Sequence, residues 1–269
     1  MHPFVNFLGL VDIPVYGLLM VVGAGLSWIS LIILNKIKNQ LAFSDINLVF
    51  LLAICGSIVG ASTLRPIMHL FRIIFNWHDY RSMTFMELFY YATGEIIFYG
   101  GFLGGLVTAI LACRKFRIDT VAFFDIAAPA LALAHAIGRI GCFFGGCCFG
   151  IALPNNHPLA VIYPAESLGA PPNIPLLAMP LIESGYLFIL FIILVIVYAK
   201  SKTKGISSSI YLLIYPVGRF VLEFFRGDVI RGETGFLTTS QVISAIILIF
   251  GAFYFINTRK ICKIITKLY

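Results

Sequence analysis

A chain of 269 residues that is 60% hydrophobic and only 12% charged departs from the soluble average of about 45–50% apolar and about 25% charged in the direction of a polytopic membrane protein. The formal net charge of +7 would suit nucleic acid. The basic residues segregate by loop, however, so the charge reads as membrane topology and nucleic acid is excluded as a partner.

Apolar runs suited to crossing a bilayer fall at about 13–34, 46–64, 94–113, 120–137, 182–199, 206–225 and 238–256, which predicts an all-α polytopic membrane protein with seven transmembrane helices. No cationic stretch precedes the first run and no small-residue cleavage pattern follows it, so it is expected to be a retained helix. All nine lysines, and twelve of the nineteen basic residues, fall in one set of alternate connections. The positive-inside rule makes that side cytoplasmic, with the N-terminus outside and the C-terminus inside. Residues 1–269 read as one integral membrane domain of the cell membrane.

Two outer connections are long. Residues 65–93 carry Trp77, Tyr80, Tyr90 and Tyr91 among aliphatics, the composition of an interfacial segment. Residues 151–181 hold seven prolines, too many for a helix, and read as a folded cap or a disordered loop. Between these connections, the third run contains YGGFLGGL, which pairs Gly100 with Gly104 and Gly101 with Gly105 for close helix packing. Glu95 and Tyr99 stand at its outer end.

The fourth run carries Asp125, His135 and Arg139 inside or at the edge of apolar sequence, where ionisable groups are costly unless they face protein or water. Asp125 and Arg139 are fourteen residues apart, within roughly 40° of one helix face, and His135 precedes Arg139 by one turn. The run then opens into GCFFGGCCFG, whose glycines are expected to break the helix and form a polar pocket at one membrane face. Cys142, Cys147 and Cys148 cluster there. Their C-x4-C-C spacing matches no common zinc pattern, so neither a metal nor a cofactor is expected. The thiols read as buried packing or as a disulfide from Cys142 to Cys147 or Cys148 bracing the loop, with a covalent nucleophile as the weaker alternative. In the sixth run Tyr215, Arg219, Glu223 and Arg226 are confined to roughly 80° of an ideal helix. Two arginines against one glutamate leave a positive excess, which near lipid awaits an anion.

The ordered combination of Ile13-Pro14-Val15-Tyr16-Gly17-Leu18, Gly100-Gly101, Asp125-x3-Pro129, Gly138-Arg139-Ile140-Gly141, Leu181-Ile182-Glu183 and Gly218-Arg219-Phe220-x2-Glu223-Phe224-Phe225-Arg226 resembles the prolipoprotein diacylglyceryl transferase family. The resemblance implies seven helices with an outer N-terminus, and a site towards the outer face. It implies transfer of diacylglyceryl from phosphatidylglycerol to the lipobox cysteine of a lipoprotein precursor, with release of glycerol 1-phosphate. Arg139 then corresponds to the arginine of the family signature and Arg219 to its second essential arginine. Tyr16, Asp125, Tyr215, Glu223 and Arg226 fall on further matching positions, expected to bind substrate. Where the family continues Asn-Phe-x-Asn-x-Glu, this chain has Cys142, Gly145 and Cys147; where it has a histidine before the paired glycines, this chain has Tyr99. Phosphate stabilisation is assigned to Arg139 and Arg219, whose planar guanidinium binds phosphate through two hydrogen bonds. The acceptor's proton is left to His135 or Tyr99, to water, or to the departing phosphate. Two other readings stay open: a transferase using the same lipid with a non-lipoprotein acceptor, and a non-catalytic lipid-binding or transport protein.

Overall fold

The computed structural model describes residues 4–7, 11–75, 84, 98–228, 233–234 and 237–268. A short hairpin of β1 (Phe4–Phe7) and β2 (Val11–Pro14) leads into α1 (Val15–Lys38), followed by α2 (Phe43–Phe75), α3 (Phe98–Lys115) and α4 (Thr120–Gly145). A second hairpin, β3 (Ala160–Ile162) with β4 (Pro175–Leu177), precedes α5 (Met179–Lys200) and α6 (Ile206–Leu222). A 3-10 turn (Glu223–Phe225) and a hairpin of β5 (Glu233–Thr234) and β6 (Leu237–Thr238) then lead to α7 (Thr239–Leu268).

Among the described residues, six of the seven helices are long and apolar enough to cross a membrane; α3 is not one of them. Large side chains such as Val21, Ile189, Ile249 and Phe253 stay exposed on these helices. An apolar surface of that kind is at home in lipid. Four residues of the expected third span, 94–97, lie outside the described residues, as do Glu95 and most of the connection 65–93. Within that connection α2 continues as helix to Phe75, past the expected end, with Pro66 inside it.

The chain divides into two units. In the unit Gln40–Phe123, α2 and α3 pack backbone to backbone. A side-chain carbon at Gly60 would collide with the Gly100 carbonyl and lie 2.9 Å from Gly104 Cα, and one at Gly104 would collide with the Gly56 carbonyl. The glycine pairs expected from the sequence therefore serve close packing, with Gly56 and Gly60 as partners.

The other unit combines Met1–Asn39 with Phe124–Tyr269. Its core joins Ala128 and Ala132 of α4, Leu190 and Leu194 of α5, and Tyr211 of α6. Small residues on α4 let the bulkier α5 and α6 approach. α1 closes on Asn39, in a left-handed conformation with its N–H on the Asn35 carbonyl, and carries Lys36 and Lys38 in its last turn, where cations suit the helix dipole.

One expectation is corrected here, and one open alternative is narrowed. The glycine-rich stretch does not break α4 after Ile137: the helix runs on to Gly145, and Gly146, at φ +66°, ends it. Gly141 and Gly145 are helical and make room for Tyr16, whose ring carbon would sit 3.3 Å from a side chain at Gly141. Residues 151–181 are folded. Tyr163, Ala170 and Leu176 form a small core with Phe149 and Val161, and the backbone bridges from Gly150 to Arg226 and from Ala152 to Leu176.

Candidate active site

The end of α4, the start of α5, the end of α6 and the start of α7 meet at one level, and each brings a polar side chain there. Glu183 is the acid of an otherwise apolar helix and the centre of the arrangement. Its Oε2 lies 2.8 Å from Arg139 Nε, while its Oε1 lies 2.9 Å from Arg219 Nη1 and 3.0 Å from Arg226 Nη1. Arg219 Nη2 reaches Glu223 Oε2 at 2.6 Å and donates to Ser240 Oγ at 3.2 Å. The contacts to Glu183 Oε2 and Glu223 Oε2 are ion pairs without hydrogen-bond geometry. Arg226 is gripped by Asp228 through Nε at 2.9 Å and Nη2 at 2.6 Å, and Thr238 Oγ1 donates to Glu223 at 3.0 Å. Burial opposes charge on Arg226, but Asp228 and Glu183 outweigh it and push its pKa up.

Glu183 is 3% exposed, Glu223 6% and Arg219 8%. Buried charges at such depth persist only when paired and hydrogen-bonded. Among the described residues three guanidiniums face three carboxylates, which offsets the positive excess expected from the sixth run. Glu183 and Asp228, which come from other parts of the chain, neutralise it. The polar stripe itself is also shorter than expected. Regular α6 stops at Leu222, and Arg226 sits in extended backbone after the 3-10 turn. It reaches Glu183 because Gly227 follows with its Cα against the Gly150 carbonyl, where no side chain fits.

His135, Arg139, Glu183, Tyr186, Leu187, Tyr215, Arg219 and Leu222 line a small cavity. The His135 ring lies 5.5 Å from that of Tyr215, and Tyr215 stacks on Tyr211 at 5.3 Å. Gly218, next to Arg219, is required by packing: a side chain there would collide with the Tyr186 ring, whose hydroxyl donates to the Ile214 carbonyl at 2.5 Å. The structure thus brings together Arg139, Arg219, His135, Tyr215, Glu223 and Arg226. Tyr16 sits on the glycine face of α4 near its end. The side chain of Tyr99 lies outside the described residues, although its backbone belongs to α3.

Asp125 is not brought to this cluster. It lies fourteen residues before Arg139 on α4, about 21 Å along the axis, and is 2% exposed. Its carboxylate accepts the Gly205 N–H at 3.0 Å and the Ser208 N–H at 3.0 Å. The helix face shared with Arg139 is real, but a helix face has two ends. Asp125 caps α6 from a neighbouring helix, since Gly205 at its N-cap has no side chain to offer. Asp125→Ala should therefore leave two buried amides unpaired and cost about 1–3 kcal/mol, read as a lower unfolding midpoint in detergent. Unchanged stability would refute the capping role.

Sequence reasoning missed Glu183 as the hub of the site. The signal was present: a lone carboxylate inside a span is a functional candidate by default. In the sequence it stands out only as the end of the Leu181-Ile182-Glu183 motif.

These elements define a polytopic membrane protein in which a buried, charge-balanced arginine and carboxylate cluster adjoins a cavity at one end of the helices. The chain belongs to the prolipoprotein diacylglyceryl transferase family, whose sequence model matches residues 3–257. It is 32% identical over 248 residues to the phosphatidylglycerol–prolipoprotein diacylglyceryl transferase of Clostridium tetani, covering 91% of this chain and 94% of that protein. It is 33% identical over 251 residues to transferase 2 of the same name from Clostridium perfringens, covering 92% and 93%. A relative of that name in Finegoldia magna is 30% identical over 251 residues, covering 93% of each chain.

Proposed function

We propose that this chain transfers the diacylglyceryl group of phosphatidylglycerol to the cysteine of a prolipoprotein, forming a thioether and releasing glycerol 1-phosphate. The observation that carries the reading is the pairing of half-buried Arg139 and buried Arg219 on one carboxylate beside the cavity, in a chain of this family. The reaction displaces a phosphate ester from carbon, so it needs cations held where charge develops on the leaving oxygen. Arg139 pairs with Glu183 through Nε among the described residues, which leaves its Nη edge for a phosphate. Arg219 shares both its acids with other partners and can exchange one for the incoming anion. His135, one turn before Arg139 in the same cavity, takes the proton of the acceptor thiol. Tyr215, which lines the cavity, and Tyr16 bind substrate together with Glu223, the partner of Arg219, and Arg226, which shares Glu183 with both arginines; Tyr99 serves as a further proton carrier.

The whole chain works as one membrane domain with seven crossings, the N-terminus outside, and the site towards the outer face of the cell membrane. The segregation of all nine lysines supports that orientation. A reporter fused after Lys204 should stay in the cytoplasm and one after Pro172 should be exported; a tag at Lys204 open to protease in intact cells would overturn it. The activity is tested by incubating purified protein with phosphatidylglycerol and a lipobox peptide. A thioether product is expected. Glycerol phosphate release with some other acceptor would redirect the reading, and neither product would refute it.

A further inference from the structure

Cys142 and Cys147 stand where the family pattern has an asparagine and the glutamate, Cys148 follows directly, and the transferase mechanism above makes no use of them. Their sulfurs all lie within 4.8 Å of one another. A loop brings about this convergence. Neighbouring side chains ordinarily diverge, but Gly146 and Cys148 both adopt left-handed backbone, at φ +66° and +59°, a conformation uncommon for a residue with a Cβ. Glycine is obligatory at 146, where a side chain would collide with Ser167. The turn is locked from several sides. The Cys147 N–H donates to the Cys142 carbonyl at 3.1 Å, Ala170 N–H to the Gly146 carbonyl at 2.9 Å, and Leu168 N–H to the Gly145 carbonyl at 2.8 Å. Beside it stands Tyr163, 1% exposed, with no hydrogen-bond partner for its hydroxyl among the described residues and within electrostatic range of all three sulfurs.

We propose that Cys142, Cys147 and Cys148 hold a zinc ion whose fourth position takes the thiol of the acceptor cysteine. The proposal rests on the transferase reading for its catalytic half alone; the metal site stands on the geometry. Zinc bonds thiolate sulfur at about 2.3 Å, which sets tetrahedral sulfurs about 3.8 Å apart, so the three thiols need contract by about an ångström at most. Three protein ligands with an open position are the arrangement of catalytic zinc. Cys142 is buried while Cys147 and Cys148 are partly exposed, which leaves the open position on an accessible side. Tyr163, whose buried hydroxyl is without a hydrogen-bond partner among the described residues, stands near enough to serve as an outer-sphere donor to a thiolate once the metal is bound. Three thiolates against a dication leave net negative charge, and Arg139 and Arg226 lie within electrostatic range of Cys148.

The chemistry fits this reaction. A thiol bound to zinc loses its proton outright; here the proton is released to solvent at the partly exposed side of the cluster. The sulfur then attacks the glycerol carbon, the carbon–sulfur bond forms, and the carbon–oxygen bond breaks with its electron pair leaving on glycerol 1-phosphate at Arg139 and Arg219. No oxidation state changes. The thioether is a poorer ligand than the thiolate and departs. The thiolate would thus be generated by the metal in a chain that lacks the histidine expected before Gly100.

The test uses the full chain, purified in detergent with its thiols reduced and metal-free, and titrated with zinc alone. About one zinc per chain is expected, with Cys142, Cys147 and Cys148 protected from alkylation while Cys55 still reacts, read by peptide mass spectrometry. C142A/C147A/C148A should bind none, and C55A/C113A/C262A should bind as wild type does. No binding by the wild type, equal alkylation with and without zinc, or binding retained by the first triple variant would overturn the site. Turnover of a lipobox peptide should fall at least tenfold on chelation and return with zinc; turnover indifferent to zinc would overturn its catalytic half. Absence of turnover in a zinc-loaded wild type would count against the transferase reading instead, because binding and protection are measured without substrate.

Discussion

Replacing Glu183 by alanine should destabilise the protein by about 3–5 kcal/mol, the cost of stripping one partner from buried ion pairs. The effect should sit at the top of that range because one carboxylate serves three guanidiniums: Arg139 at 2.8 Å, Arg219 at 2.9 Å and Arg226 at 3.0 Å. Arg226 would keep Asp228 and Arg219 would keep Glu223. Arg139 would lose the carboxylate it pairs with and would have to rotate towards solvent, carrying the cavity wall with it. Glu183→Gln separates charge from shape, since it preserves volume and one acceptor oxygen but leaves three cations against two anions. Unfolding midpoints in detergent for both variants, with membrane abundance as a second readout, check the expectation. A glutamine variant as stable as wild type would mean that the cluster tolerates the excess charge and that Glu183 is a packing residue.

Loss of either Arg139 or Arg219 should reduce turnover by about 10²–10³, or about 2.7–4 kcal/mol, the range found when a preorganised donor to a developing oxyanion is removed. The two should differ in stability. Arg219 is tied to Glu183, Glu223 and Ser240, so its alanine variant leaves two acids facing each other and should fold less well. Arg139 has Glu183 alone among the described residues, and its loss should fall mainly on the rate. Arg219→Lys sharpens the assignment, since lysine restores the charge without the planar fork and should recover stability better than activity. Rates per folded molecule at equal membrane abundance decide the matter. Wild-type rates in both alanine variants would remove the arginines from the chemistry.

How much of this could be read from the sequence varies with the range of the interaction involved. The membrane class, the close pairing of glycines in the third run, and the candidacy of Arg139, Arg219 and His135 all follow from local composition and helical period. Those features act within a few residues. The family resemblance fixed the reaction class because it rests on residue identities in order along the chain.

Whatever depends on which helix ends meet was beyond the sequence. Asp125 shares a face with Arg139, yet the structure uses it to cap a helix eighty residues later, because periodicity fixes direction around an axis and says nothing of what stands opposite. The charge balance of the site is hidden in the sequence for the same reason, since Glu183 and Asp228 enter from separate elements. Cys142, Cys147 and Cys148 give the sharpest contrast. Their spacing matches no common ligand pattern, and only a turn held in left-handed backbone at Gly146 and Cys148 gathers their sulfurs. By itself the sequence determined the solvent of the fold and the residues able to do the chemistry, through short-range pattern and the cost of charge in lipid. Only the tertiary structure decided which of those residues share a site, because partners for buried charges are chosen across the bundle.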